Sequence, residues 1–526
     1  MFDYQLHGLN AGGYHLTNVI LHILSALLLF WLFNRMTGAV WKSAFVATLF
    51  ALHPLHVESV AWISERRDVL SAFFWMLTLC LYVYYTEKPV IRRYLLVVFS
   101  FVCALMSKQM VVTLPVIMIL LDYWPLGRLQ SREIATNFKV IMPDSTNQST
   151  QDIKLEKEIL KENISPANAL KLRETRIAGI IPLWQLWEKI PFFVLSAVFS
   201  IMILYDHYKL SPKYSPLGSR IANAPVSFVT YLEKTFMPSD LAVFYPFSDK
   251  LPLWQVLGAT ILICVISIAV ILMAKRLPYL FVGWLWYAIT LLSVIGILPI
   301  QDYAMADRYT YLPSIGITVM LAWGIPLLFK REDTRKKILF PAAIIFLAIM
   351  AVLTWQQCRY WKNNSELFNH TLHVTKDNYL AHKFVADALC AEGKNKQAIY
   401  HYNEAIRLKP DFSYAYNNRG NAYLELGQYQ LAIEDFNKAI RSKPDYATAY
   451  SNRGTIYTKL GQYQLAIEDF NNAIRLNPDD ADTYFNRGIV YFTQGNIISG
   501  CEDAKKACEL GNCKILEAVT GKGYCR

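Results

Sequence analysis

Hydrophobic and polar positions along this chain follow two different patterns, and the change falls near residue 362. Before it, long apolar runs alternate with short charged loops. Ten runs can be drawn, roughly at 15–33, 44–62, 69–86, 93–107, 110–124, 190–206, 252–274, 278–300, 313–329 and 338–356. An upright membrane-spanning helix needs about 20 apolar residues, so these runs predict spans, some of them short. The pair at 93–107 and 110–124 also fits a hairpin or a re-entrant pair. After residue 362 the apolar positions become sparse and amphipathic, as in an ordinary polar helical sequence.

That second part is periodic. Pro410, Pro444 and Pro478 stand 34 residues apart, as do Gly420, Gly454 and Gly488, and Gly427, Gly461 and Gly495. The stretches YNNRGNAYLELGQYQLAIEDFNKAI and YSNRGTIYTKLGQYQLAIEDFNNAI are nearly identical. A 34-residue period with small residues at fixed offsets is the mark of the tetratricopeptide repeat (TPR), a helix pair that stacks into a solenoid. About four repeats are expected over 363–511, the first degenerate, with Lys376 where proline is expected. Asn418, Asn452, Asn486, Arg419, Arg453 and Arg487 recur on the first helices, where a solvated or structural role is the expectation for each. The tail 512–526 reads as a cap. In it Cys513 and Cys525 form a candidate disulfide, with Cys508–Cys513 as an alternative.

The expected fold class is therefore all-α: a polytopic helical membrane domain over 1–362, then a TPR α-solenoid and its cap. Composition agrees. The chain is 54% hydrophobic and only 18% charged, where soluble proteins carry about 25%. That excludes a single soluble globular enzyme and excludes disorder. The net charge of +11 needs no nucleic acid to explain it, because basic loops beside membrane spans produce the same surplus. No nucleic-acid-binding module is visible. Cys80, Cys103, Cys264 and Cys358 lie in or beside apolar runs and read as packing residues.

Lys and Arg crowd one set of alternating short loops: Arg35 and Lys42; Lys88, Arg92 and Arg93; Lys275 and Arg276; and Lys330, Arg331, Arg335, Lys336 and Lys337. The basic stretch 127–189 falls on the same side. By the positive-inside rule that side is cytoplasmic, which puts the repeats outside. Ten spans would also put Met1 outside, and a chain lacking an upstream span explains this most simply.

The opposite loops hold the candidate chemistry. LHPLHVESVAWISERRDVLS (52–71) places His53, His56, Glu58, Glu65, Arg66, Arg67 and Asp68 between two spans, and QDYAMADRYTYLP (301–313) adds Asp302, Asp307 and Arg308. Ionisable residues at membrane depth default to a functional hypothesis. Guanidinium groups such as Arg66, Arg67 and Arg308 suit a phosphate-bearing ligand, and Glu58, Asp68 and Asp307 accompany them. Metal is not expected: Pro54 interrupts the His-Pro-Leu-His-Val-Glu run, and the helical HExxH spacing is absent. In the 207–250 loop, Ile221, Phe228, Leu232 and Phe236 predict an amphipathic helix lying on the outer membrane surface. His15 and His22 read as polar packing residues, and Asp122, beside Tyr123-Trp124-Pro125, as part of an interfacial aromatic belt.

The stretches YHLTNVILHILSALLLF, ALHPLHVESVAWISERRDVLS, SRIANAPVSFVTYLEKTFMPSDLAVFYP and ADRYTYLPSIG, followed by TPRs, resemble the transmembrane and TPR-containing O-mannosyltransferases. The resemblance covers residues 1 to about 511. It implies a GT-C-type glycosyltransferase of the bacterial inner membrane, moving a mannose-like sugar from a polyprenyl-phosphate carrier to a hydroxyl of an extracytoplasmic acceptor, most simply a polypeptide held by the TPRs. It implies no covalent cofactor and no metal. The family's catalytic acid lies in a first outer loop that precedes this chain's start, so the catalytic residue is not assigned; Glu58, Asp68 and His56 are supporting candidates. Arg308, Arg66 and Lys108 would bind the lipid phosphate, with Lys108-Gln109 standing where relatives have Lys-Glu. His53 and Asp307 would position substrate. The competing expectation is a membrane-anchored TPR scaffold for envelope assembly whose transferase half is catalytically incomplete.

Overall fold

A computed structural model describes residues 8, 10–129, 185–210, 216–247, 251–297, 303–329, 331–521 and 523–525. Every regular element among them is a helix. The chain forms two compact units, one of residues 1–241 and 247–359, the other of 242–246 and 360–526.

Among the described residues of the first unit, five helices are long and apolar enough to cross a membrane: Ala11–Thr37, Ile63–Glu87, Gln185–Tyr205, Leu253–Leu272 and Glu332–Tyr360. The chain is an integral membrane protein. Other apolar runs are interrupted by local chemistry, so the described residues give five such helices, or six if the bent pair below is one span. The run at 44–62 breaks into Val40–Leu52 and Pro54–Ala61, bent by 52°. Pro54 cannot continue the helical hydrogen bonds, His53 is extended, and its side chain accepts from the Leu55 N–H. Helices over Met110–Tyr123, Pro278–Leu292 and Ser314–Leu328 fall below spanning length. Exposure follows the solvent. Ile261, Val265 and Ile268 on Leu253–Leu272 point outward, as lipid-facing side chains do, while Phe33, Phe50, Trp75, Leu79 and Trp286 form the core.

Two contacts fix the loop that carries Arg308. Gly283 and Gly316 bring the Pro278–Leu292 and Ser314–Gly324 helices together backbone to backbone, and a Cβ on either would collide with the other's carbonyl oxygen. Trp286 Nε1 donates to the Leu312 carbonyl at 3.0 Å. The predicted helix in the 207–250 loop forms over Leu217–Phe236, but its buried face is rotated from the predicted stripe. Asn223, Ala224, Ser227, Phe228, Tyr231 and Thr235 are buried, while Ile221 and Phe236 stay exposed. Phe228 turns inward because Trp284 and Tyr287 offer it ring edges, at 5.6 and 4.9 Å between centroids. The helix therefore does not merely lie on a surface. Tyr231 donates to the Ala306 carbonyl and accepts from its N–H, bracing the turn before Arg308.

The second unit is the repeat solenoid. Helix pairs Tyr379–Ala391 with Asn395–Leu408, Ser413–Glu425 with Tyr429–Ser442, Ala447–Lys459 with Tyr463–Leu476, and Ala481–Thr493 with Ile497–Glu509 follow one another. Gly420 faces Phe436 so closely that a Cβ would lie 2.8 Å from the ring. The repeated arginines join the two helices of a pair. Arg419 grips both oxygens of Asp435 at 2.7 Å, and Arg453 with Asp469 and Arg487 with Asp503 repeat the grip. Residues 242–246 belong to this unit: Asn378 Nδ2 donates to the Phe244 carbonyl at 2.9 Å, and Phe244 stacks on Phe384. The expected Cys513–Cys525 bridge is not the one formed. Cys513 caps the short Lys514–Thr520 helix, one tight turn from Cys508, and bonds to it. The tail beyond that helix returns along Ile497–Glu509, so Cys525 bonds to Cys501.

Candidate functional site

Three separated segments bring their charges together in the membrane unit. The first runs from the Val57–Ala61 helix through the 3-10 turn Ile63–Glu65 into the helix starting at Arg66. The second is Lys108, where the Ile91–Ser107 helix ends in extended backbone. The third is the 3-10 turn Asp307–Thr310.

Arg308 is the centre. Its guanidinium pairs with Glu58 Oε1 and reaches the Tyr303 hydroxyl, and its backbone N–H donates to Glu58 Oε2 at 2.9 Å. Trp62, Tyr303 and Tyr309 surround it, with ring centroids 5.3, 5.4 and 5.1 Å from the guanidinium carbon. Burial alone would favour losing the Arg308 proton, but Glu58 opposite it keeps it firmly charged. Burial pushes the Tyr303 and Tyr309 phenols above their usual range, so both keep their protons at neutral pH. Lys108 pairs with Asp68 Oδ1, whose other oxygen accepts from Ser59 at 3.4 Å. Glu65 lies among three cations without a close contact to any: Arg67 Nε at 3.5 Å, Arg308 Nε at 3.6 Å and Lys108 Nζ at 3.9 Å. Asp307 is buried on the same turn as Arg308. One edge is open, with Ser64 and Arg67 exposed and Trp62, Tyr303 and Lys108 half-buried.

The residues singled out from sequence divide. Glu58, Asp68, Lys108 and Arg308 meet in one cluster. Arg66 is turned away: Nε donates to Asn18 Oδ1 at 3.1 Å and Nη2 to the Tyr14 carbonyl at 2.7 Å, against the first helix. These bonds join it to the first helix. The helical phase explains this, since consecutive residues 66, 67 and 68 point about 100° apart. His53 and His56 have both ring nitrogens occupied. His53 bonds the Thr235 carbonyl and the Leu55 N–H, and His56 bonds the Phe50 carbonyl and Ser314. They pin the bend at Pro54 and leave no nitrogen to position substrate or move a proton. His22, as expected of a packing residue, bonds Tyr311 inside the bundle. Asp302 lies outside the described residues. Among those described, no group of three His, Cys, Asp or Glu side chains is arranged to hold a metal ion.

Two features escaped the sequence reading. Trp62, Tyr303 and Tyr309 frame Arg308, and only their position within the charged loops hinted at it. A second cluster involves Asp122, expected in an aromatic belt. It is buried instead, with Lys189 Nζ at 2.5 Å, Arg128 Nη1 at 3.0 Å and the Tyr82 hydroxyl at 2.7 Å. Glu188 joins Arg128 at 2.7 Å and Lys189 at 2.9 Å. Tyr82 lies 40 residues before Asp122, and Glu188 lies 60 residues beyond Arg128 with Lys189 next to it, which local sequence cannot reveal.

Comparison with known proteins separates the two units in the same way. The family profile described as a TPR repeat matches residues 386–427, 420–461 and 454–495. Protein O-mannosyl-transferase TMTC1 of Mus musculus is 25% identical over 481 residues, covering 79% of this chain and 51% of that protein. Protein O-mannosyl-transferase Tmtc3 of Drosophila melanogaster is 22% identical over 486 residues, covering 81% and 49%. This chain is a relative of the O-mannosyl-transferases. It spans about half the length of the curated relatives it matches. Both charged segments, 58–68 and 307–308, fall in the unit that the repeat profile does not touch. Among solved structures, a crystal structure of MamA covers 28% of this chain and 88% of its own, at 24% identity and a TM-score of 0.26.

Proposed function

We propose that this O-mannosyl-transferase relative is a membrane glycosyltransferase, moving a mannose-like sugar from a polyprenyl-phosphate carrier to a hydroxyl of an extracytoplasmic polypeptide. The observation that carries the reading is the Arg308 cluster, in which phosphate-compatible cations and carboxylates from distant segments converge beside an open edge. In the reaction an acceptor hydroxyl attacks the anomeric carbon and gives its proton to a carboxylate. The bond from that carbon to the phosphate oxygen breaks, and its electron pair leaves with the polyprenyl phosphate. Positive charge fixed in advance lowers the barrier to that departure. Arg308 and Lys108 supply it, each held by a carboxylate before any ligand arrives.

The repeats serve as the acceptor-binding surface, since stacked TPRs form an extended concave face. Their extracytoplasmic placement is supported by two disulfides, which persist in oxidising compartments. It is also supported by residues 242–246, which come from the loop assigned outside by the Lys/Arg asymmetry and pack within the repeat unit. The test is transfer from a radiolabelled polyprenyl-phosphate mannose in membranes holding the full protein. Label should pass to polypeptide, and Arg308→Lys should lower the rate at least tenfold, because an ammonium cannot reproduce the guanidinium's paired geometry. Transfer unaffected by Arg308→Lys would overturn the role of the cluster. No transfer by the wild type would favour the scaffold reading.

A further inference from the structure

Glu65 is a carboxylate of the cluster whose contacts to its cations are all long. Glu58 meets Arg308 through both oxygens, and Asp68 is divided between Lys108 and Ser59. The side chain of Glu65 is as buried as theirs, at 5% exposure against 3%. Yet its nearest cations stand at 3.5, 3.6 and 3.9 Å, beyond the roughly 2.7–2.9 Å of a close charge-assisted hydrogen bond. It occupies the N-cap position of the long helix that follows but makes no capping bond there, so its carboxylate is not spent on the backbone either. Three cations hold it ionised and in place while its oxygens keep acceptor capacity. Trp62, three residues earlier, is half-buried, with the Arg308 guanidinium carbon 5.3 Å from its ring centroid, and Arg67, two residues later, is exposed.

We infer that Glu65 is a hydroxyl-accepting residue of the ligand site: it takes a ring hydroxyl of a carrier-borne pyranose whose apolar face rests near Trp62. Glu65 thus contacts the sugar, while Arg308 and Lys108 attend to the phosphate. The inference rests on the transferase reading of the cluster and adds a residue that recognises the sugar. It also separates two contributions that a purely electrostatic cluster would combine. Removing the charge of Glu65 takes an anion away from the phosphate region, which by itself should help an anionic ligand bind. Loss of a hydroxyl contact works in the opposite direction, and only on ligands that bear a sugar.

The experiment is direct binding to the full-length protein in lipid nanodiscs, with two probes: polyprenyl-phosphate mannose, and the same polyprenyl phosphate without sugar. Glu65→Gln should raise the Kd of the mannose-bearing probe about tenfold or more, as expected for a lost hydrogen bond to a charged group. The Kd of the sugar-free probe should stay level or fall. Glu65→Asp keeps the charge but withdraws it by one methylene. It should weaken the mannose-bearing probe alone, and it carries the test if the glutamine variant does not fold. Equal shifts of both probes in the same direction, or no shift of either, would overturn the inference and leave the transferase reading standing. A wild-type protein that binds neither probe would overturn that reading and the inference with it.

Discussion

Around Asp122 and around Arg308 the membrane unit buries charge in two different ways. The first cluster sets two carboxylates, Asp122 and Glu188, against two cations, Arg128 and Lys189, with contacts of 2.5–3.0 Å. Tyr82 and Tyr85 donate to the carboxylates, so little acceptor capacity is left. The second sets Glu58, Glu65, Asp68 and Asp307 beside Arg308, Lys108 and Arg67, and leaves Glu65 with long contacts at an open edge. Burial of charge is thus not in itself the mark of a site. A cluster matched in number and closed in geometry works as a staple, here between the two ends of the 129–187 segment. A mismatched, loosely held and half-open cluster can still bind something. The repeat unit supports the distinction, because its Arg–Asp pairs are matched one to one and recur with the repeat.

The comparison can be broken most forcefully at Lys189. Its side chain is 1% exposed and bonds Asp122, Glu188 and the Gln185 carbonyl. Lys189→Met leaves two buried carboxylates to share the single cation Arg128 and should cost about 3–5 kcal/mol, read as a sharp loss of folded protein or of thermal midpoint. A mild effect would mean that the matched cluster is not a staple. Gly316→Val should come next. The new side chain would press on the Gly283 carbonyl and the Tyr287 backbone, costing on the order of 1–3 kcal/mol by overpacking. It would also tilt the helix leading from Arg308, so transfer should fall more than stability; equal losses would show that the helix contact does not govern the site. Glu65→Gln sharpens the comparison from the other side. With Glu58 and Asp68 still pairing Arg308 and Lys108, its cost in thermal unfolding should stay near 1 kcal/mol. A loss as large as that of Lys189→Met would erase the distinction between the clusters.

What the sequence made legible follows the range of the interactions. The 34-residue period and the apolar runs are local patterns, so the solenoid and the membrane helices could be read directly from them. Glu58, Asp68 and Arg308 could be nominated because charge between apolar runs is conspicuous. The pairing of Glu58 with Arg308 across 250 residues of chain, and of Asp68 with Lys108 across 40, could not. Arg66 and Arg67 are adjacent in sequence, and only helical phase sends the first to Asn18 and the second to the cluster edge. Asp122 was misread for a related reason. Its immediate neighbours are aromatic, whereas Glu188 and Lys189 arrive from beyond a long insertion. The cysteines show the same limit, since spacing allowed several bridges and the short Lys514–Thr520 helix selects among them.

The smallest expected effect tests matching by a proton instead of by full charges. In the first helix pair of the repeats, His382 Nδ1 and His401 Nδ1 lie 3.1 Å apart, so one ring must donate and the other accept. Burial holds both imidazoles below their usual pKa, and at His382 the neighbouring His401 lowers it further. The unfolded chain therefore binds more protons than the folded one below about pH 6.5. Stability is fully present above that value and declines as pH falls through the window between the unfolded and folded pKa values. Both residues are only partly buried, and solvent screening should hold the loss to a few tenths of a kcal/mol. Thermal unfolding of the full protein at pH 7.5 and 5.5 should show the repeat transition falling slightly more in the wild type than in His401→Gln. An equal fall in both would mean that the pair does not share a proton, and that matching in the repeats rests on the Arg–Asp grips alone.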